Sequence, residues 1–170
     1  MNSKQKGFSL IELLIVVAII LVIAAIAIPN LLRSRMAANE ASAVRSIRAI
    51  DTAEVTYAST YPSIGYAVNL SSLGPGSNSG NTVSSSANAI LLDSVLACST
   101  GAGTTPCSKS GYNFLLSGGA PVSGVVYTYS TSADPITPEQ TGHRHFYSAT
   151  PGFITYNETN SATATDAPLQ

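Results

Sequence analysis

The chain has 170 residues and is almost neutral, with 8 Lys and Arg side chains, 9 Asp and Glu side chains and a net charge of −1. Charged residues make up 10% of the chain, against about 25% in ordinary globular domains. This length accommodates one small domain beside an extended element. The low charge excludes the strongly basic surface of a nucleic-acid-binding protein, and no specific nucleic-acid site is readable.

The first element is an apolar run from Phe8 to Ile28, in which only Ser9 and Glu12 are polar. At about 1.5 Å per residue, a helix over this run is about 32 Å long, enough to cross a bilayer. Lys4 and Lys6 precede the run, so the positive-inside rule predicts a cytoplasmic N-terminus and an exported chain after the run. A single membrane-spanning helix is therefore expected.

Glu12 is the exceptional residue of this run. A carboxylate in an apolar span costs about 2.5 to 3.5 kcal/mol at the bilayer centre and is a functional residue by default. We therefore expect Glu12 to have a partner.

Residues 6 to 20, with Pro29 closing the apolar run, closely resemble the class III signal of type IV pilins and type II secretion pseudopilins. They read Lys-Gly-Phe-Ser-Leu-Ile-Glu-Leu-Leu-Ile-Val-Val-Ala-Ile-Ile. The resemblance extends to about residue 55. It implies cleavage between Gly7 and Phe8 by a prepilin peptidase at the cytoplasmic face, and N-methylation of the new Phe8 amine by the same enzyme.

The resemblance also implies an assembly role for Phe8, Glu12 and Pro29. In such families the glutamate pairs with the amine of a neighbouring subunit, and a buried charge pair fixes the register of the helices. The implied partners are other copies in a homopolymeric filament, the prepilin peptidase and N-methyltransferase, the inner-membrane assembly machinery, and the membrane before assembly. The implied location is the bacterial inner membrane and then an extracellular pilus.

Two other interpretations of the apolar run remain open. Ala25-Ile26-Ala27 fits the small-residue cleavage site of an ordinary secretory signal, but the run is longer than the usual apolar region of such signals. A plain membrane anchor requires only about 20 apolar residues and leaves Gly7 and Glu12 unexplained.

The helical pattern continues beyond the apolar run. Leu31 to Tyr57 contains no Gly or Pro, and a broad apolar face is predicted there, formed by Met36, Val44, Ile47 and Val55. Pro29 is expected to bend the helix without ending it. The prediction is one helix from Phe8 to about Ser59, with residues 8–29 projecting as the transmembrane and filament-core part, and residues 30–59 packing on a globular domain.

The charged residues of this second part have two open interpretations. Arg48 and Asp51 are three residues apart and suit a weak ion pair, while Glu40, Arg45 and Glu54 suit contacts with neighbouring subunits. A solvated face explains the same residues equally well.

Residues 60–110 read as a connecting region with a Ser-, Asn- and Gly-rich loop at Ser77 to Ser86 and a short helix at Ala87 to Ala97. Cys98 and Cys107 are the only cysteines, and in an exported domain they predict a disulfide of about 2.5 to 3 kcal/mol. A metal site with His143 and His145 is a weaker alternative at these separations.

Residues 111–157 read as a four-stranded antiparallel sheet, and residues 158–170 as a polar tail. The predicted strands are Tyr112 to Leu116, Val125 to Thr131, His145 to Ala149 and Phe153 to Tyr156. With the sheet packed on the helix, the expected fold is α+β, the type IV pilin fold.

No motif of an enzyme, cofactor site or metal site is present, so no catalytic role is predicted. Asn69-Leu70-Ser71 and Asn157-Glu158-Thr159 match the N-glycosylation pattern, which also arises by chance.

Three classes of function remain. The leading interpretation is a structural subunit, the major pilin, of a type IV pilus serving adhesion, twitching motility or DNA uptake. The second is a pseudopilin of a type II secretion system. Pseudopilins resemble one another in a calcium loop, for which Glu158 and Asp166 offer few ligands. The third is an anchored domain that does not polymerise.

Overall fold

The structure is a computed structural model that describes residues 8–76, 83–98 and 105–169. The chain divides between Arg35 and Met36 into two compact units. Helix α1, Leu10–Thr60, contains residues of both units. The leader and its predicted cleavage residue Gly7 lie outside the described residues, as does the part of the predicted loop from 77 to 82.

In the first unit, α1 is apolar and has no buried side chain among the described residues. Its best 18-residue window has a mean hydropathy of 3.3, so the helix is long and apolar enough to cross a membrane. Pro29 lies inside α1 and does not end it. The predicted continuous helix is confirmed, beginning at Leu10 and ending at Thr60.

In the second unit, α1 buries one face. Ala43, Ile47 and Ile50 are fully buried, and Tyr57 is 3% exposed. These residues follow one another after four, three and seven positions, as expected for one side of a helix. The prediction that Val55 shares this face is wrong, because the buried face passes through positions 54 and 57 and leaves Val55 59% exposed.

Within the described residues, a six-stranded antiparallel meander supplies a second part of the core, and the connecting region supplies a third. Its strands follow chain order: β1 Cys107–Lys109, β2 Tyr112–Gly118, β3 Tyr129–Pro135, β4 His145–Ala149, β5 Phe153–Asn157 and β6 Ala167–Pro168. The α+β fold is confirmed, but six strands replace the predicted four. The edge strands β1 and β6 have three and two residues, too few to show an alternating pattern.

The inner face of the sheet is set by strand register. Phe114 of β2 is opposite Ala133 of β3, which in turn is opposite Phe146 of β4, and all three are fully buried. They belong to the same buried cluster as Ile47 and Ile50 of α1. The predicted packing of the second part of the helix on the sheet is therefore present.

The third strand differs from its prediction at both ends. It begins at Tyr129 instead of Val125, because the Val126 amide donates to the Ile64 carbonyl and leaves the ladder. Gly65 permits this close pairing, since an added Cβ there would lie 2.1 Å from the Val126 carbonyl oxygen. The strand then continues to Pro135.

The connecting region contains a helix, α2, at Leu70–Leu73, with the Asn69 side chain as its N-cap. The predicted helix at Ala87 to Ala97 is wrong. The amides of Ala89 and Leu91 donate to the carbonyls of Ser72 and Leu73, so tertiary hydrogen bonds replace local helical ones.

The segment predicted as a polar tail contains a strand. β6 pairs with β5, and the Leu169 amide donates to the Ile154 carbonyl. The Asp166 carboxylate accepts hydrogen bonds from the Thr163 amide and hydroxyl, which hold the turn that precedes β6.

Candidate functional site

The apolar segment begins with a short polar cap. Leu10 starts α1, Ser9 precedes it, and the Glu12 Oε2 atom accepts a hydrogen bond of 3.0 Å from the Ser9 amide. This is one half of a capping box, in which a glutamate satisfies a free N–H at the helix start. The spacing Ser9-x-x-Glu12 signals such a cap, and the sequence analysis missed it.

Phe8, the predicted start of the mature chain, is 78% exposed. The apolar side chains that follow are exposed by about half or more, for example Ile11 at 63%, Leu14 at 59% and Ile20 at 58%. A surface this apolar exceeds what soluble monomers leave open and marks a membrane or protein contact. Glu12 is the one titratable residue in the part of this surface from Phe8 to Pro29.

In the second unit, three carboxylates of α1 bind groups of the same chain. Glu40 is 8% exposed and binds the Arg144 guanidinium through Oε2, at 2.8 Å to both Nε and Nη2. Its Oε1 accepts from the amides of His143 and Arg144. Burial disfavours the charged form, but these hydrogen bonds outweigh it and keep the pKa of Glu40 below its usual value.

Arg144 is held on its other side by aromatic rings. Its guanidinium carbon lies 5.6 Å from the ring centroids of both Phe146 and Tyr156. Such contacts stabilise a cation beyond its ion pair. Glu40 and Arg144 therefore join α1 to the segment immediately before β4.

Asp51 lies three turns after Glu40 on α1 and does not pair with Arg48 as predicted. Its carboxylate instead accepts hydrogen bonds from the Tyr129 and Ser148 hydroxyls, at 3.1 and 2.9 Å. Burial raises the pKa of Asp51, and the two hydroxyl donors oppose this rise.

Glu54 is fully buried, so the interpretation of this residue as a solvent- or neighbour-facing charge is wrong. Its Oε2 accepts from the Ala67 amide at 2.8 Å, while Oε1 has no hydrogen-bond partner in the described part of the chain. Burial raises the pKa of Glu54 from 4.5 to about 8, with a further contribution from Asp51. Glu54 is therefore a neutral acid at pH 7.

Cys98 and Cys107 form the predicted disulfide, with their Cα atoms 5.5 Å apart. The bond attaches the connecting region to edge strand β1. Because both sulfurs are bonded, the alternative metal site has no thiolate ligands.

The two histidines are engaged separately with carboxylates. His143 contacts Glu139 through Nδ1, and His145 contacts Asp134 through Nδ1 at 2.6 Å. The Glu139 hydrogen bond is the largest cause that raises the pKa of His143. Within residues 8–76, 83–98 and 105–169, no group of three His, Cys, Asp or Glu side chains is arranged to hold a metal ion.

The described contacts thus give two candidate sites. One is the apolar surface with Phe8, Glu12 and Pro29, which is suited to burial against other apolar helices or lipid. The other is the set of helix carboxylates, which binds α1 to the sheet and to the connecting region. The sequence located the first site. It missed Arg144, because this partner lies 104 residues from Glu40 and has no local signal.

A comparison with family models found a match that covers the apolar run from Phe8 to Ile28. Residues 2–28 match the family model of the prokaryotic N-terminal methylation motif. A type IV major pilin protein, PilA, of Myxococcus xanthus is 43% identical over 56 residues, which are 33% of this chain and 26% of the relative. The type IV wide pilus major component PilA4 of Thermus thermophilus is 62% identical over 37 residues, 22% of this chain and 28% of the relative.

The type II secretion system core protein G of Escherichia coli is 40% identical over 52 residues, 31% of this chain and 36% of the relative. The chain thus aligns with only about a quarter to a third of these curated relatives. No solved structure matches. The predicted resemblance of the N-terminal segment to type IV pilins and type II secretion pseudopilins is confirmed.

Proposed function

We propose that this chain is the major structural subunit of a type IV pilus and polymerises through the apolar part of α1. The observation that carries the proposal is this apolar helix with one carboxylate, Glu12, headed by the methylation motif. None of the described residues 8–35 is buried within the chain. Lipid covers such a surface before assembly, and the helices of neighbouring copies cover it in a filament.

The processing follows from the same segment. The leader lysines hold the N-terminus in the cytoplasm, and a prepilin peptidase cleaves between Gly7 and Phe8 and methylates the new amine. Removal of Lys4 and Lys6 changes the net charge from −1 to −3 and leaves the apolar helix intact. The inner-membrane machinery then moves the subunit from the bilayer into an extracellular filament for adhesion, twitching motility or DNA uptake.

Glu12 has a different partner at each stage of this route. In the uncleaved chain it caps α1 through the Ser9 amide. After cleavage, the Phe8 ammonium of a neighbouring copy offers a stronger, charged donor. Because an unpaired buried charge is costly, this exchange selects the axial register of the filament.

A type II secretion pseudopilin is the second candidate, favoured by the similarity to core protein G. The hydrogen bonds of the C-terminal turn do not favour a calcium-binding loop like that of the pseudopilins. Asp166 already accepts hydrogen bonds from Thr163 and Asn157, which lower the pKa of its carboxyl, and these protein donors occupy both oxygens. Calcium requires about six to eight oxygen ligands.

Electron microscopy of surface fibres sheared from the producing cells, with mass spectrometry of the main fibre protein, tests the proposal. We expect long fibres made of this chain and starting at N-methyl-Phe8. Short fibres dependent on a secretion system would favour the pseudopilin. Retention of residues 1–7, a start at Ile28 after signal-peptide cleavage, or absence of fibres would refute the proposal.

A further inference from the structure

The carboxylates of the second unit are all engaged within their own chain. The chain has 9 Asp and Glu residues, all at described positions, and every one except Glu12 follows Met36. The partners are Arg144 for Glu40, Tyr129 and Ser148 for Asp51, Ala67 for Glu54, Lys109 for Asp93, His145 for Asp134, His143 for Glu139 and Glu158, and Thr163 and Asn157 for Asp166.

Some cationic side chains of this unit have no carboxylate partner among the described residues. Lys109 and Arg144 have carboxylate partners, but within the described part of the second unit Arg45 and Arg48 have none within 4.0 Å. Both are exposed on α1, and their spacing of three residues places them side by side on one helical face. Two adjacent unpaired guanidinium groups form a local positive field that attracts an anion.

These arginines border a groove of about 450 Å³. Ala41 and Val44 of α1 and Leu169 after β6 give it apolar walls. Glu40 and Arg144 also line the groove, but they neutralise each other in an ion pair, so its net positive charge comes from Arg45 and Arg48. A guanidinium binds a carboxylate through two parallel hydrogen bonds, and apolar walls suit the methylene groups of a glutamate stem. The groove therefore fits a glutamate side chain presented by a protein surface.

The same chain carries a surface with surplus negative charge. Glu139 and Glu158 flank one imidazole: His143 Nδ1 contacts Glu139, and Nε2 lies 3.9 Å from Glu158. The two glutamate side chains are 70% and 58% exposed. One imidazole, even when protonated, balances only one of the two carboxylates, so this acidic pair keeps a net negative charge.

We propose that the groove at Arg45 and Arg48 of one copy binds the acidic pair Glu139 and Glu158 of a neighbouring copy. The two surfaces differ from each other, so the contact is heterologous, and a heterologous contact that does not close propagates into a filament. The inference rests on the proposed pilin function and names a polar contact between globular domains, in addition to contacts of the apolar helices. Its charges orient approaching copies and exclude wrong registers.

Charge reversal in the full chain, expressed in its filament-forming cells, tests the contact. Arg45→Glu/Arg48→Glu and Glu139→Arg/Glu158→Arg each place like charges opposite one another, and each should lower the yield of sheared filament by about tenfold. The quadruple variant restores opposite charges with exchanged sign. We expect it to recover at least half of the unmodified yield.

A matched control separates this contact from a general effect of net charge. Arg45→Gln/Arg48→Gln and Ser117→Glu/Ala120→Glu both change the net charge by −2, and Ser117 and Ala120 are exposed outside both surfaces. Only the arginine variant should lose filament. Equal loss in both variants, or a quadruple variant no better than the doubles, would overturn the inference.

Cross-linking measures the contact directly. Cells that express Arg48→Cys and Glu158→Cys chains together are treated with a short bismaleimide that spans the length of an Arg–Glu pair, because a direct disulfide is too short for it. They should give a cross-linked dimer on a denaturing gel, and Ala120→Cys in place of Glu158→Cys should not. Filaments without this cross-link would refute the contact and leave the proposed function intact. Absence of filaments from the unmodified chain would refute both.

Discussion

The two parts of α1 belong to one continuous helix but differ in whether their apolar side chains are buried within the chain. Before Met36, apolar side chains such as Ile20 lie more than half exposed. After it, Ile47 and Ile50 are fully buried against the sheet. The comparison shows that helix formation and burial are separate properties: the backbone satisfies its hydrogen bonds in both parts, but only the second part finds its apolar partner within the chain.

The carboxylates sharpen this contrast. Glu12 lies in the part whose described residues are not buried, and its carboxylate accepts a hydrogen bond from the Ser9 amide in the same helical turn. Glu40 and Glu54 lie in the packed part and bind groups distant in sequence, Arg144 and Ala67. The carboxylate in the first part is thus available to other molecules, and the carboxylates in the second part bind groups of their own chain.

The largest effect is expected from Glu12→Val. Loss of one member of a buried ion pair costs on the order of 3 to 5 kcal/mol, so the yield of sheared filament should drop at least about tenfold. Membrane insertion and folding of the second unit should be unchanged. Filament yield is measured by immunoblot of the sheared fraction, with Leu13→Val as the control that keeps the charge. Normal filament yield would refute register selection by Glu12.

A matched pair of isoleucine variants tests the burial contrast. Ile50→Ala should lower the free energy of unfolding by about 2 to 5 kcal/mol, because it leaves a cavity in the core. Ile20→Ala should change it by less than about 0.5 kcal/mol, because its side chain has no core to leave. Urea unfolding of the full chain in detergent, followed by circular dichroism, measures both. Equal effects would show that the two parts pack alike.

Loss of the disulfide should affect the second unit alone. Cys98→Ser/Cys107→Ser should lower the free energy of unfolding by about 2.5 to 3 kcal/mol, because the bond closes a short loop in the unfolded chain. The level of membrane-inserted chain should not change. Urea midpoints with and without reductant measure the effect, and mass spectrometry without reductant checks the bond. Two free thiols in the native chain would contradict the structure.

Over one pH unit, the smallest effect is the pH dependence caused by Glu54. Its folded-state pKa is about 8, above the ordinary 4.5, so the folded chain binds more protons between these values. Its stabilising contribution is complete below about pH 4.5 and is lost as pH rises to about 8, on the order of 1 kcal/mol per pH unit. Asp51, Tyr57 and Tyr129 share this environment, and burial raises the pKa of each.

Glu54→Gln should flatten the fall in the urea midpoint between pH 5 and 8, because a neutral amide replaces the neutral acid. Glu40→Gln is the control of opposite sign. The pKa of Glu40 is lowered, so its contribution is present above the ordinary value and is lost as pH falls through the folded-state pKa. An unchanged slope in Glu54→Gln would assign the pH dependence to other groups.

Local patterns predicted a large part of this architecture. The helix was found to within two residues at its start and one at its end, and β4 was found with its bounds, because continuous periodicity and adjacent turns define such elements. The edge strands, α2 and the start of β3 were missed. The edge strands and α2 have only two to four residues, too few for a periodic signal, and at the start of β3 the Val126 amide pairs with the distant Ile64 carbonyl.

Sequence by itself determined the apolar helix, its single carboxylate, the cysteine pair and the α+β class, because each follows from composition or spacing within one stretch of chain. Only the tertiary structure determined which charged side chains of α1 can bind another molecule. Glu40, Asp51 and Glu54 have the same local appearance as Arg45 and Arg48, all charged residues on one helix. Only the packing of the sheet and the connecting region against α1 engages the three carboxylates within the chain and leaves the two arginines for another molecule.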